Sequence, residues 1–195
     1  MIKVAITGGI CCGKTTVCGF IEKLGFEVFN SDKTAILLAE NNSDLKEKII
    51  NQFGLESYIN DRYNRKRIAS IVFNDSQKLK ILNNMFKPLI DFEFIKFSNG
   101  RNIVFYESAL IFESNAQDEF DFIICAYTNK EVVINRMKSR NGYNNNEIEE
   151  RLKNQIPTEI KKEKSNYVID TDKELIEVEL ETIKIINLIR CGLKN

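Results

Sequence analysis

A chain of 195 residues, 43% hydrophobic and 29% charged, is long enough for one globular domain with appended subdomains, and that balance excludes global disorder. Lysine plus arginine equals aspartate plus glutamate, at 28 each, so overall charge argues neither for nor against a nucleic-acid partner, and anion binding must come from local clustering. Five cysteines, two of them adjacent, and no histidine argue against a disulfide framework, a zinc site and an imidazole base, leaving acid–base work to a carboxylate, lysine or cysteine.

The chain opens on an apolar, β-leaning run, and a strand is expected over Val4–Thr7. It leads straight into Gly8-Gly9-Ile10-Cys11-Cys12-Gly13-Lys14-Thr15, which fits the spacing G-x-x-x-x-G-K-[ST]. Glycines at those two positions let the backbone turn tightly enough for successive N–H groups to converge on one anion. Lys14 can then reach the β- and γ-phosphates, and the Thr15 hydroxyl can hold Mg2+. The context the motif requires follows. Val17, Phe20, Ile21 and Leu24 stand at helical spacing over Lys14–Leu24, and the N-terminus of that helix adds its dipole. The segment reads as a nucleotide-binding loop. Cys11 and Cys12 within it are either small side chains that fit beside phosphate or thiols activated by the helix N-terminus. With strand and loop at the start of the chain, no secretory leader is expected. No apolar run approaches the roughly 18 residues that span a bilayer, so a reducing, cytoplasmic setting without membrane contact is expected.

A second strand is expected over Glu27–Asn30, leading into Ser31-Asp32. Beside the first strand it would bring Asp32 near the phosphates, as a base or an orienting group for an attacking hydroxyl; the plainer role is an N-cap for a helix over Lys33–Glu40. Residues 33–100 have helical character, carried by Leu37, Leu38, Leu45, Ile49, Ile50 and Phe53, then by Ile68, Ile71, Val72, Leu79, Leu82 and Met85. Gly54, Asn60-Asp61 and Pro88 punctuate the stretch, which is too long for a simple crossover and reads as a helical insertion. Its Arg62, Arg65, Lys66 and Arg67 suit either an anionic acceptor or a solvated face. A third strand over Asn102–Tyr106 presents Glu107, either a partner of Mg2+ or the acceptor or a carboxylate that caps the strand end; Glu113 reads as structural. A fourth strand, Phe122–Tyr127, precedes helices over Glu131–Arg140 and Glu147–Gln155, joined by a polar turn over Asn141–Asn146 and stopped by Pro157. Arg136 and Arg140 lie four apart on one helix, and Arg151 and Gln155 repeat the spacing. These side chains either close over a triphosphate or lie in water. A fifth strand, Tyr167–Ile169, is followed by a helix over Leu175–Ile189 whose Ile176, Leu180, Ile183 and Ile186 are expected against the sheet. Strands alternating with helices make a parallel α/β sheet.

No D-x-x-G switch occurs, and the nearest approach to N-K-x-D is Asn129-Lys130-Glu131-Val132, which argues against a GTPase; Ile103–Glu107 is a distant imitation of the strand that a P-loop ATPase motor uses. An insertion after the second strand and a lid after the fourth suit a small-molecule kinase. Over nearly its whole length the chain resembles the dephospho-coenzyme A kinase family. Thr7-Gly8-Gly9-Ile10-x-x-Gly13-Lys14-Thr15-Thr16 is similar to that family's T-G-G-I-x-S-G-K-S-T, and Phe29-Asn30-Ser31-Asp32 to its D-A-D run. Asn64-Arg65 with Ile71-Val72-Phe73 resembles its L-[DN]-R…V-F stretch, and the run from Glu107 to Glu113 its D-x-P-L-L-F-E segment. Arg136-Met137-x-x-Arg140 with Arg151-x-x-x-Gln155-Ile156-Pro157 resembles its lid, and Tyr167-Val168-Ile169-Asp170 its closing D-[FY]-V-I-x-N strand. The family usually carries histidine where this chain has Lys87 before Pro88, and Asn30, Ile36, Cys11 and Cys12 also depart from its pattern.

The resemblance implies an α/β P-loop fold of the nucleoside-monophosphate-kinase type, a five-stranded parallel sheet flanked by helices. Residues 1–31, 101–135 and 158–195 would form the core domain, 32–100 a helical acceptor domain and 136–157 the lid. It implies transfer of the γ-phosphate of ATP to the ribose 3′-hydroxyl of dephospho-coenzyme A, with Mg2+. Asp32 is then the base or orienting group, and Lys14 and Arg140 stabilise the phosphates. Gly9, Ile10, Cys11, Cys12, Gly13, Lys14, Thr15, Thr16, Arg136 and Arg140 would hold ATP, Thr15 the metal ion, and Asp32, Arg65, Lys87 and Glu107 the acceptor. ATP and dephospho-coenzyme A are the partners expected of a monomer that engages neither nucleic acid nor membrane. The rivals are a kinase for another small hydroxyl acceptor (a nucleoside, nucleotide or sugar acid) and a nucleotide-binding module that has lost catalysis; retention of Lys14, Thr15 and Asp32 argues against the second.

Overall fold

A computed structural model describes residues 1–72 and 75–192, with the side chains of Arg140 and Asn141 also outside the description. In chain order the elements are strand β1 (Ile2–Thr7), helix α1 (Lys14–Lys23), strand β2 (Val28–Asn30), helices α2 (Ser31–Asn41) and α3 (Ser43–Phe53), short strands β3 (Tyr58–Ile59) and β4 (Arg62–Tyr63), helices α4 (Arg65–Val72) and α5 (Ser76–Ser98), strands β5 (Ile103–Glu107) and β6 (Phe122–Tyr127), helices α6 (Lys130–Asn141), α7 (Asn145–Lys153) and α8 (Thr158–Lys164), strand β7 (Tyr167–Asp170) and helix α9 (Leu175–Cys191). They group into two compact units, residues 1–29 with 101–195, and residues 30–100.

The first unit is built on a five-stranded parallel sheet in the order β2-β5-β1-β6-β7. β1 is central, and Val4, Ala5 and Ile6 are fully buried, as expected of an apolar run covered on both faces. Strand order reverses on either side of β1, so the turn that leaves its carboxyl end stands at the switch point where such sheets bind ligands. β5 lies between β1 and β2, so the strand that leads to Asp32 is not the neighbour of the loop strand. α1 buries Val17, Cys18, Phe20 and Ile21 in a core shared with β1, β5, β6 and α9. α9 turns inward a face that only partly matches the one expected: Val178, Thr182, Ile185, Ile186 and Ile189 are buried and Ile183 is half-buried, while Ile176 and Leu180 are 57% and 60% exposed. A polar residue can join that line because the Thr182 hydroxyl donates to the Val178 carbonyl of its own helix at 2.7 Å. α8 was not expected. Its charged sequence hides one inward residue, Lys161, which is fully buried.

The second unit packs α2 to α5 around Ala39, Leu45, Ile49, Phe53, Ile68, Val72, Leu82 and Phe86. The Asn30 side chain caps α2 by accepting from Lys33 N at 2.8 Å, so Asp32 is the second residue of a helix rather than a strand end or a cap. Asn60 and Asp61, with φ of 49° and 64°, form the two-residue turn of the β3–β4 hairpin. Pro88 sits inside α5 instead of ending a segment. It deprives one carbonyl of its helical donor, and burial of Leu82 and Phe86 in the turn before it carries the helix through. Phe73, part of one stretch that carries the family resemblance, lies outside the described residues.

Candidate active site

The segment between β1 and α1 is shaped by its two motif glycines. Gly8 has φ 142°, and a Cβ there would run into the carbonyl oxygen of Ala126 on β6. Gly13 has φ 83°, and a Cβ there would lie 2.7–2.8 Å from the Oγ1, Cβ and Cγ2 atoms of Thr171. Backbone torsion and close approach each demand glycine at these positions.

α1 begins behind Gly13 with no side chain capping it and no acidic residue in its first turn. By contrast, Asn30, Asn42, Asp75, Asn129 and Asn144 cap α2, α3, α5, α6 and α7. The first amides of a helix have no partner within it, so an uncapped N-terminus is a natural seat for an anion. Lys14 curls over the loop, its Nζ donating to Gly8 O at 3.1 Å and Gly9 O at 3.0 Å. Thr15 is exposed and Thr16 half-buried. The Thr15 hydroxyl, a hard oxygen donor in the first turn, fits one ligand position of Mg2+, with phosphate and water oxygens suited to the others.

The rest of the loop is tied to distant parts of the first unit. Ile10 N donates to Gln155 Oε1 at 3.0 Å, and Cys12 N to Gly9 O at 3.3 Å. Arg136 Nη1 donates to Cys11 O at 3.2 Å and to Thr171 Oγ1 at 3.1 Å, Nη2 to Thr171 O at 2.7 Å, and Thr171 Oγ1 to Cys12 O at 3.0 Å. Cys11 is half-buried with φ 57°. Cys12 is fully buried, its Sγ 3.6 Å from Thr158 Oγ1, and packs with Val133, Met137 and Ile148 beneath α6 and α7. Its small side chain is therefore part of a core.

Glu107, at the end of β5, is buried and accepts the S–H of Cys18. Burial, aided by that carboxylate, pushes the Cys18 thiol far above its ordinary range. Burial, with Cys12 close by, pushes the Cys125 thiol up to about 12. Glu113 is structural: its Oε1 is 2.6 Å from Lys161 Nζ and accepts from Ile156 N at 2.9 Å, while the same Nζ donates to Ala109 O at 2.6 Å. A buried strut thus joins the turn after β5 to the segment after α7. On α7, the Arg151 guanidinium lies over the Tyr143 ring, 4.2 Å from its centroid, and Glu147 serves the capping box.

The acceptor candidates other than Glu107 belong to the second unit. Asp32 is exposed in the first turn of α2, and Arg65 is exposed at the start of α4. Lys87 is exposed on α5, its Nζ 2.9 Å from Asp91 Oδ2. Arg67 pairs with Glu56 at 2.9 Å, and Arg62 lines an open concavity with Ile59, Asn60, Tyr63 and Asn64. Burial pushes the Tyr63 hydroxyl up to about 12 against the opposing charge of Arg65. The loop, Arg136 and Glu107 thus share the first unit, and Asp32, Arg65 and Lys87 the second; the Arg140 side chain lies outside the described residues. The sequence reading missed Thr171 and Lys161. Thr171 had one available signal, its place just past the carboxyl end of a parallel strand.

A family model described as dephospho-CoA kinase matches residues 2–177. A dephospho-CoA kinase from Chlorobium luteolum is 33% identical over 179 residues, 87% of this chain and 82% of that protein. Among solved structures, a dephospho-CoA kinase from Campylobacter jejuni aligns with a TM-score of 0.69 at 30% identity, over 97% of this chain and 98% of that one. The crystal structure of TT1252 from Thermus thermophilus aligns with a TM-score of 0.85 at 25% identity, over 96% of each chain. With a phosphate loop at the sheet's switch point and a match over nearly its full length, the chain belongs to the dephospho-CoA kinase family.

Proposed function

We infer that this protein transfers the γ-phosphate of ATP to the ribose 3′-hydroxyl of dephospho-CoA, giving CoA and ADP, the last step of CoA biosynthesis. The observation that carries the reading, in a member of this family, is the uncapped N-terminus of α1 behind left-handed Gly13, with Lys14 folded over the loop.

Phosphoryl transfer asks mainly for positioning and charge stabilisation. Residues Gly9 to Thr16 receive the nucleotide phosphates, on backbone amides other than those of Ile10, Cys12 and Thr16, which donate to Gln155, Gly9 and Gly13. The Lys14 ammonium exchanges the Gly8 and Gly9 carbonyls for β- and γ-phosphate oxygens. The Thr15 hydroxyl would hold Mg2+, which when bound would neutralise phosphate charge. Arg140 on α6 adds a cation to the transferring group as residues 136–157 close and exclude water, with Arg136 seated against the loop backbone. Asp32 orients the attacking hydroxyl and takes its proton, and Arg65, Lys87 and Glu107 serve the acceptor, with residues 32–100 as its domain. The molecule acts as a cytoplasmic monomer without nucleic acid; no helix among the described residues is long and apolar enough to cross a membrane. Coupled ADP release with ATP and Mg2+ against a panel of acceptors tests the reading. Turnover with dephospho-CoA far above that with nucleosides, nucleotides or sugar acids is expected, and a preference for any of those would overturn it.

A further inference from the structure

A phosphate-binding nest turns its N–H groups inward and so turns carbonyls outward, where they need donors. The Cys11 and Cys12 carbonyls find theirs in two side chains remote in sequence. Arg136 donates to Cys11 O at 3.2 Å, and Thr171 donates to Cys12 O at 3.0 Å. The two are linked, because the same guanidinium reaches Thr171 Oγ1 at 3.1 Å and Thr171 O at 2.7 Å. The Thr171 hydroxyl therefore accepts from Arg136 and gives its own proton to the loop. Thr171 is 7% exposed and lies flush against Gly13, leaving no room for a Cβ. Cys11, between these anchors, holds φ 57°, a conformation that residues other than glycine keep only where their surroundings impose it.

We propose that Thr171 and Arg136 form a latch, two positioning residues that hold the segment from Cys11 to Gly13 in the shape that receives nucleotide phosphates. Arg136 acts through the loop carbonyl, and Thr171 is the joint through which α6 and the end of β7 grip the loop. The latch rests on the reading of this loop as the ATP site.

Thr171→Val keeps the shape of the side chain and removes only the hydroxyl; Thr171→Ser keeps the hydroxyl. Equilibrium binding of ATP and of inorganic pyrophosphate to the full chain is measured for wild type and both variants, with steady-state kinetics and a melting curve for each. The latch predicts that Thr171→Val weakens both ligands by about the same factor, on the order of tenfold as for the Cys12 carbonyl left buried without its donor. It also predicts that KM for dephospho-CoA stays within about twofold of wild type and that Thr171→Ser restores binding. Pyrophosphate carries no adenosine, so a loss confined to ATP would make Thr171 a nucleoside contact and overturn the latch. Unchanged binding of both ligands overturns it too. If Thr171→Val does not fold, Arg136→Lys, which keeps the charge but loses the fork, must show the same parallel loss. A wild type that binds neither ligand would instead overturn the reading of the loop itself, and the latch with it.

Discussion

Lys161→Met tests the buried strut in the first unit. Lys161 is fully buried, and its Nζ serves Ala109 O and Glu113 Oε1, each at 2.6 Å. Methionine nearly fills the same volume, so little cavity is created, and what remains is a carboxylate without its counter-ion and a carbonyl without its donor. Glu113 keeps the bond from Ile156 N at 2.9 Å, while its Oε2 is buried without a hydrogen-bond partner. Removing one member of a buried pair costs about 3–5 kcal/mol. At roughly 2–4 °C per kcal/mol for a chain of this length, the melting temperature should fall by about 10 °C. Urea unfolding, extrapolated linearly, is the assay, and an unchanged slope would show that the unfolded state is unaffected. The double variant Glu113→Gln, Lys161→Met removes the stranded charge and keeps an acceptor for Ile156. It should recover most of the loss, to within about 2 kcal/mol of wild type. A single-variant cost below about 1 kcal/mol, or a double variant no better than the single, would refute the strut.

Gly13→Ala should abolish measurable ATP binding, because the new Cβ meets Thr171 at 2.7–2.8 Å and φ 83° strains any side chain; isothermal titration checks it. Asp32→Asn should lower kcat by roughly 10²–10⁴-fold while leaving ATP affinity intact, as expected when a proton acceptor is lost; unchanged turnover would remove Asp32 from that role. Native-state thiol titration at pH 8 should label exposed Cys191 first and half-buried Cys11 next, with Cys12, Cys18 and Cys125 reacting only on unfolding. The Cys125 thiol is held near 12 against an ordinary 9.0, and a raised folded value favours the neutral form. Its stabilising contribution is whole below pH 9 and is lost as pH rises toward 12, so unfolding midpoints should fall across that window, less steeply in Cys125→Ala.

The nucleotide loop was legible because its chemistry is local: Gly8, Gly13 and Lys14 state torsion and charge within seven residues. The five strands were legible as short apolar runs, each placed to within two residues of its observed ends. What escaped was long-range. Gln155 meets Ile10 across 145 positions and Arg136 meets Cys11 across 125, and no local periodicity records such pairs. The first half of the α9 face escaped for a different reason, while Ile186 lies inward as expected. Its core line runs through Thr182, a polar residue that burial tolerates once its hydroxyl is satisfied, so an apolar count chose the exposed Ile176 and Leu180. Lys161 hid α8 in the same way, since a fully buried lysine becomes legible only once Glu113 and the Ala109 carbonyl are known to face it. At Asp32 the local setting was misread: Asn30 takes the cap, and the helix starts at Ser31, two residues before Lys33.

The most direct test follows the phosphoryl group itself. ATP labelled in its γ-phosphate is incubated with the protein, Mg2+ and dephospho-CoA, and the label is located in the product by fragmentation mass spectrometry and NMR. Label on the ribose 3′ oxygen, appearing in step with ADP and lost in Asp32→Asn, is the predicted result. Label recovered only as inorganic phosphate, or on any other oxygen of the acceptor, would contradict it.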